Sequence, residues 1–177
     1  MPPPTRAPAA CARAQGMGDA DYAAAFELVV APIAADFAPS LVIIAAGFDA
    51  AEGDPLGQMA VSPDGYHIMT EHLVRAAAGG KVVAALEGGY ALSATATSAE
   101  ATLRGLLGEP APALGRRCRP RRATEGILRH VVQQQKLYWP GLRGDEAEKR
   151  FKAFFSGVHA ATAALGGLGI GDSGQRR

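Results

Sequence analysis

Two stretches of the chain carry apolar side chains without a polar break, and each runs into glycine. Leu41-Val42-Ile43-Ile44-Ala45 leads into Ala46-Gly47-Phe48-Asp49, and the "KVVAALE" segment from Lys81 to Glu87 leads into Gly88-Gly89-Tyr90. An unalternating run rich in β-branched residues predicts a strand covered on both faces, as in a parallel sheet. Elsewhere the apolar positions recur at helical spacing. Tyr22, Phe26, Val29, Val30 and Ile33 form one stripe of "GDADYAAAFELVVAPIAADF". Asp19 is the expected cap of that helix, Asp21 suits its first turn, and Pro32 should kink or end it. Ser62 ahead of Pro63 predicts the start of a second helix, stopped at Gly79-Gly80. A third is expected from Ser93 to Leu107, ended by Gly108 ahead of Pro110. Helix, strand, helix, strand, helix is the order of parallel α/β layering.

Farther along, Glu109 to Arg122 reads as a Pro/Arg linker, and "ATEGILRHVVQQQKLYW" and "DEAEKRFKAFFSGVHAATAAL" as amphipathic helices. The expected division is a disordered Pro/Ala-rich leader over 1–15, a main unit over 16–142, a helix over 143–165, and a glycine-rich disordered tail over 166–177. A chain of 177 residues with 48% apolar content has room for one domain with a real core.

Charge and cysteine usage narrow the class. Eighteen Lys+Arg against 17 Asp+Glu leave a net charge of +1, which offers no electrostatic footprint for nucleic acid. The basic cluster "RRCRPRR", Arg116 to Arg122, reads as a solvated linker rather than a targeting patch. No apolar run approaches the ~20 residues that span a bilayer, so neither a membrane nor a nucleic-acid partner is expected. Cys11 and Cys118 form no CxxC, which points to a reducing compartment and away from a disulfide scaffold or zinc ribbon.

In parallel α/β proteins ligands bind beyond the carboxyl ends of the strands, and Asp49 and Tyr90 both fall just past such an end. An Asp there suits a divalent metal. A Tyr after two glycines can present its hydroxyl to a cleft. The bland alternative makes Asp49 a loop cap and Tyr90 a half-buried core aromatic. His67 and His72 lie five apart within a helix pattern and read as helix-surface residues, and His130 and His159 as equally ordinary. Ser62 and Ser93 read as helix starts, since neither sits in a G-x-S-x-G elbow. "EGGY" matches neither a dinucleotide fingerprint nor a P-loop.

The combination of "GFDAAEGDPLG", "SPDGY" and "LEGGY" is specific, and with it the chain resembles the C-terminal half of a class II histone deacetylase catalytic domain. The resemblance runs from about Gly16 to Pro112, and more loosely through "VVQQQKLYWPGL" to Leu142. It implies part of a three-layer α/β/α arginase-deacetylase fold around a parallel sheet, truncated on its N-terminal side. It also implies zinc-dependent hydrolysis of the acetyl-lysine amide. By the same resemblance, Asp49 matches a zinc ligand and Tyr90 the phenol that donates to the substrate carbonyl and its oxyanion. Leu56 matches an apolar wall of the acyl-lysine tunnel, and Gly88 and Gly89 the glycine loop at its floor. Acetylated protein lysines are the implied substrate, acetylated polyamine a second possibility, a co-repressor the implied partner, and nucleus or cytoplasm the implied location. Self-association is expected separately, since a parallel half-sheet cut from its neighbours leaves an apolar edge and face uncovered.

The resemblance is incomplete. The family's Asp-x-His zinc ligands and adjacent His-His pair have no counterpart, the nearest string being Asp64-Gly-Tyr-His67. One carboxylate does not make a zinc site, which takes about three protein ligands plus an open position. The chain therefore reads as the distal half of a deacetylase. The alternative reading is a catalytically inactive, deacetylase-like interaction module.

Overall fold

The computed structural model describes residues 16–77, 81–114 and 119–156; the expected leader and tail, His159 and both cysteines lie outside them. Among the described residues, six α-helices and two strands follow in chain order: α1 Asp19–Ala25, α2 Ala31–Phe37, β1 Val42–Ala46, α3 Pro63–Ala76, β2 Val82–Leu86, α4 Leu92–Leu106, α5 Arg122–Gln135 and α6 Gly144–Ser156. The strands pair in parallel, with Val42 opposite Val82 and Ala46 opposite Leu86. Helix α3 is the crossover between them, as the layering predicts.

The first predicted helix is one rod with a defect. Between α1 and α2 lies a π-helical turn, Phe26–Val30. Pro32, on the first turn of α2, has no N–H to give and its ring crowds the carbonyl of Leu28, so the ladder widens there instead of breaking. The cap differs from expectation. Gly18 takes the N-cap position, and the Asp19 carboxylate instead receives Ser62 N–H at 2.7 Å and Ser62 Oγ–H at 2.6 Å. Ser62 caps α3 as expected, accepting from Gly65 N–H at 3.3 Å. The third helix begins at Leu92, with Ala91 rather than Ser93 at its cap.

His67 is a correction: it is buried, and its Nε2 pairs with the Glu109 carbonyl at 2.9 Å. Gly105 is the reason. A Cβ there would lie 2.9 Å from Thr70 Cβ and 3.2 Å from His67 Cδ2. The missing side chain lets α4 close onto this face of α3, so a histidine that periodicity places outside is enclosed.

Two clusters form the interior. Ala24, Leu28 and Val29 of the first rod pack with Leu128 of α5 and Phe151 of α6. Phe48, Ala51, Val61 and Tyr66 form the second, with Phe48 and Tyr66 rings 5.1 Å apart. The Asp21 carboxylate ties the start of α1 to the start of α5, accepting from Gly18 N–H at 3.0 Å, Arg121 N–H at 2.7 Å and the Thr124 hydroxyl.

The strands are less covered than their sequences predict. Along β1, Val42, Ile44 and Ala46 are half-buried while Ile43 is 69% exposed; along β2 all but Val82 are exposed, Leu86 at 70%. The sheet formed by the described residues has only these two strands, so apolar side chains suited to a two-sided sandwich face outward.

Candidate functional site

The parallel pairing carries both strand ends to one edge and continues past them. Glu87 N–H donates to the Ala46 carbonyl at 3.0 Å, and Phe48 N–H to the Gly88 carbonyl at 2.7 Å. Phe48 is buried in the second cluster, which anchors the first loop while its neighbour Asp49 remains half-buried at the surface.

Three glycines make room for Asp49. A Cβ on Gly88 would stand 3.2 Å from its Oδ2, and one on Gly47 3.3 Å from its Oδ1. A Cβ on Gly57 would lie 1.7 Å from the Asp49 carbonyl oxygen, an overlap that only a backbone shift could relieve. Gly89, at φ +135°, takes a backbone conformation that favours glycine, and a Cβ there would press on Thr95 and Phe48. The chain then turns Tyr90 outward. Tyr90 is 59% exposed and Leu56 64% exposed, so Tyr90 is not the half-buried core aromatic of the bland alternative.

Asp54, which sequence reasoning passed over, bridges the two loops. Its Oδ1 accepts from Leu56 N–H at 2.8 Å and Gly57 N–H at 3.0 Å, and its Oδ2 from Tyr90 N–H at 2.7 Å. Burial pushes its carboxyl up. Bonds from the N–H groups of Tyr90, Leu56, Gly57 and Ala91 more than offset this, so its pKa lies below the ordinary aspartate value. Two phenols stand behind Asp49. Burial, then the Asp49 and Asp21 charges, raise the pKa of Tyr22; burial, then Tyr22, Asp49 and Asp54, raise that of Tyr66. Both stay protonated at neutral pH. Tyr22 reads in the sequence as a core position of its helix, and no local signal marks it as a neighbour of Asp49.

The remaining candidates lie apart from this edge. His67 is held by the Glu109 carbonyl, His72 packs its ring 6.1 Å from that of Phe26, and His130 is exposed on α5. Ser62 Oγ is committed to Asp19 and the α3 cap. Among the described residues no group of three or more His, Cys, Asp or Glu side chains could hold a metal ion. Asp49 alone does not fit a zinc ion, which takes about three protein ligands.

Comparison with known proteins accounts for this combination of a built rim and an incomplete donor set. The histone deacetylase domain family matches residues 7–106. Polyamine deacetylase HDAC10 of Homo sapiens is 42% identical over 128 residues, 72% of this chain and 19% of that protein. Histone deacetylase clr3 of Schizosaccharomyces pombe is 45% identical over 128 residues, 72% of this chain and 18% of that protein. The solved structure of the histone deacetylase Clr3 superimposes with a TM-score of 0.69 at 43% identity, over 73% of this chain and 21% of that one. The crystal structure of the HDA15 HD domain gives 0.66 at 41% identity, over 78% and 36%. The chain thus spans about a fifth of the length of the curated relatives it matches. It is similar to part of a deacetylase catalytic domain and carries the corresponding part of the arginase-deacetylase α/β fold. With more than half of its residues matched by one domain family, and similarity in both sequence and structure, the chain belongs to the histone deacetylase family.

Proposed function

We propose that this chain supplies the distal part of a zinc-dependent lysine deacetylase site, within the portion 16–142. The observation that carries the reading is the juxtaposition at the strand ends: the Asp49 carboxylate lies against Gly88, and two residues on Tyr90 turns outward beside the loop of Leu56. In this role the Tyr90 hydroxyl donates to the carbonyl oxygen of the acetyl group and holds the negative charge that develops there. Leu56 packs along the methylenes of the lysine, and Gly88 and Gly89 keep the floor free of side chains. Asp49 is the one metal ligand this chain contributes. A zinc ion held there would take about two further protein ligands from outside the described residues.

Acetylated protein lysines, those of histones among them, are the proposed substrate, supported by the histone deacetylases among the relatives. The relative described as a polyamine deacetylase keeps acetylated polyamine as a competing substrate. The proposed location is nucleus or cytoplasm. A second reading, an interaction module that binds a co-repressor or a second copy, is favoured by the exposed apolar side chains of the sheet.

The test uses a protein in which this chain is joined to the segment bearing the remaining ligands. Tyr90→Phe is expected to keep its zinc and lose roughly 10²–10³ in turnover, the usual cost of one oxyanion donor. Asp49→Asn is expected to weaken zinc binding. The 177-residue chain by itself should neither hold stoichiometric zinc nor hydrolyse acetyl-lysine peptides. Unchanged turnover in Tyr90→Phe would remove the reading.

A further inference from the structure

We infer that Asp54 is a positioning residue that fixes Leu56 and Tyr90 relative to one another across the rim. The inference rests on the reading of Tyr90 as the donor of the site and adds to it the group that places that donor. The geometry is specific. One carboxylate, 7% exposed, divides its two oxygens between two loops: Oδ1 serves Leu56 and Gly57, and Oδ2 serves Tyr90, 36 positions away, with the following amide of Ala91 also directed at the carboxylate. The same residue therefore sets the backbone of the apolar wall and the backbone of the phenol. Since Gly89 lacks a Cβ and sits at φ +135°, the segment leading into Tyr90 has wide backbone freedom of its own. The bond to Asp54 restricts it.

The split between the two oxygens makes a prediction that general destabilisation would not. An amide in place of the carboxylate has one acceptor oxygen, so Asp54→Asn holds one loop and releases the other. The local turn to Leu56 and Gly57 is the shorter closure and keeps the oxygen. Tyr90 then loses its partner.

Hydrogen exchange resolved by residue in the 177-residue chain reads this directly and needs no catalysis. In Asp54→Asn the Tyr90 amide is expected to exchange roughly tenfold faster or more, the loss of one charge-assisted bond, while Leu56, Gly57 and the α4 amides keep their protection. A Tyr90 amide that exchanges as in the parent chain overturns the inference. So does equal loss at all three loop amides. If Asp54→Asn does not fold, the parent chain decides by acid titration. Asp54 shares its electrostatic surroundings with Tyr66 and Asp49, so a midpoint alone does not identify the group. Three amides losing protection together, below the ordinary aspartate range and before α4 opens, supports the clamp. Protection lost only along with α4, or lost separately at the three amides, overturns it. Tyr90→Phe retains the N–H and should titrate as the parent does. A clamp that stands while Tyr90→Phe keeps full turnover would therefore reject the catalytic reading alone.

Discussion

Gly57 and Gly126 make opposite demands on a single methyl group. At Gly57 a Cβ would enter the Asp49 carbonyl oxygen at 1.7 Å, whereas at Gly126, inside α5, nothing lies within 4 Å. Gly57→Ala must move backbone and is expected to cost about 1–3 kcal/mol. Gly126→Ala should stabilise by about 0.5–1 kcal/mol, the helix preference of alanine over glycine. Urea unfolding of the two variants checks both signs, and a neutral Gly57→Ala would mean that the loop is not packed on Asp49. At this scale the rim was partly legible. Asp49 and Tyr90 stand out in the sequence because each follows an apolar run and a glycine. Asp54 does not, because its defining partner is the backbone of Tyr90 in another loop, and side-chain chemistry alone cannot announce a bond to a distant amide. Tyr22 was hidden for a similar reason, being an unremarkable member of a helical stripe.

Among the elements, the contact between the π-helical turn and α3 carries a pH dependence. Burial, then the charge of Arg75, lower the pKa of His72 from 6.5, with Glu71 opposing. The fold therefore prefers the neutral imidazole. Above about 6.5 both folded and unfolded states are neutral and the contribution is complete. As pH falls through that value toward the depressed folded one, the unfolded chain takes up the proton first, and stability is lost. The urea midpoint is expected to fall between about pH 7 and pH 5, and His72→Phe, which keeps a ring against Phe26, should flatten part of that slope. An unaltered slope would assign the titration elsewhere. The start of α3 and both ends of α4 were readable within a residue or so because Ser62-Pro63 and Gly108 punctuate them, whereas α3 ends at Ala76, ahead of the expected stop at Gly79-Gly80, which lies outside the described residues. The burial of the strands was not. An apolar run records what the side chains are suited to touch, and the described residues do not supply those neighbours.

At the scale of the whole molecule, Ile43 and Val83, paired across the two strands, expose apolar side chains on one face of the sheet formed by the described residues, with Leu41 exposed just ahead of β1 and Leu86 exposed on the other face. Such a surface is a recognised association hazard. The purified chain is expected to sediment above its 18.2 kDa monomer mass, and lysine at Ile43 and Val83 should shift it toward the monomer. A monodisperse parent with a sharp melt would mean that the surface is tolerated as it stands. The α/β layering itself was legible from the alternation of periods. The attachment of α5 and α6 was not, because α5 depends on Asp21 meeting Arg121 and Thr124, and α6 on Phe151 joining the cluster of Leu28, Val29 and Leu128. That attachment has a kinetic consequence. The Asp19–Ser62 stitch spans 43 positions and the Asp21–Thr124 bond 103, and closure entropy grows only logarithmically, by about 0.6 kcal/mol per doubling. The second closure is thus little costlier than the first, but it needs the α1 end already formed to receive it. The chain should fold in two stages, with α5 and α6 docking last and, under mild denaturant, leaving first as a separate cooperative unit.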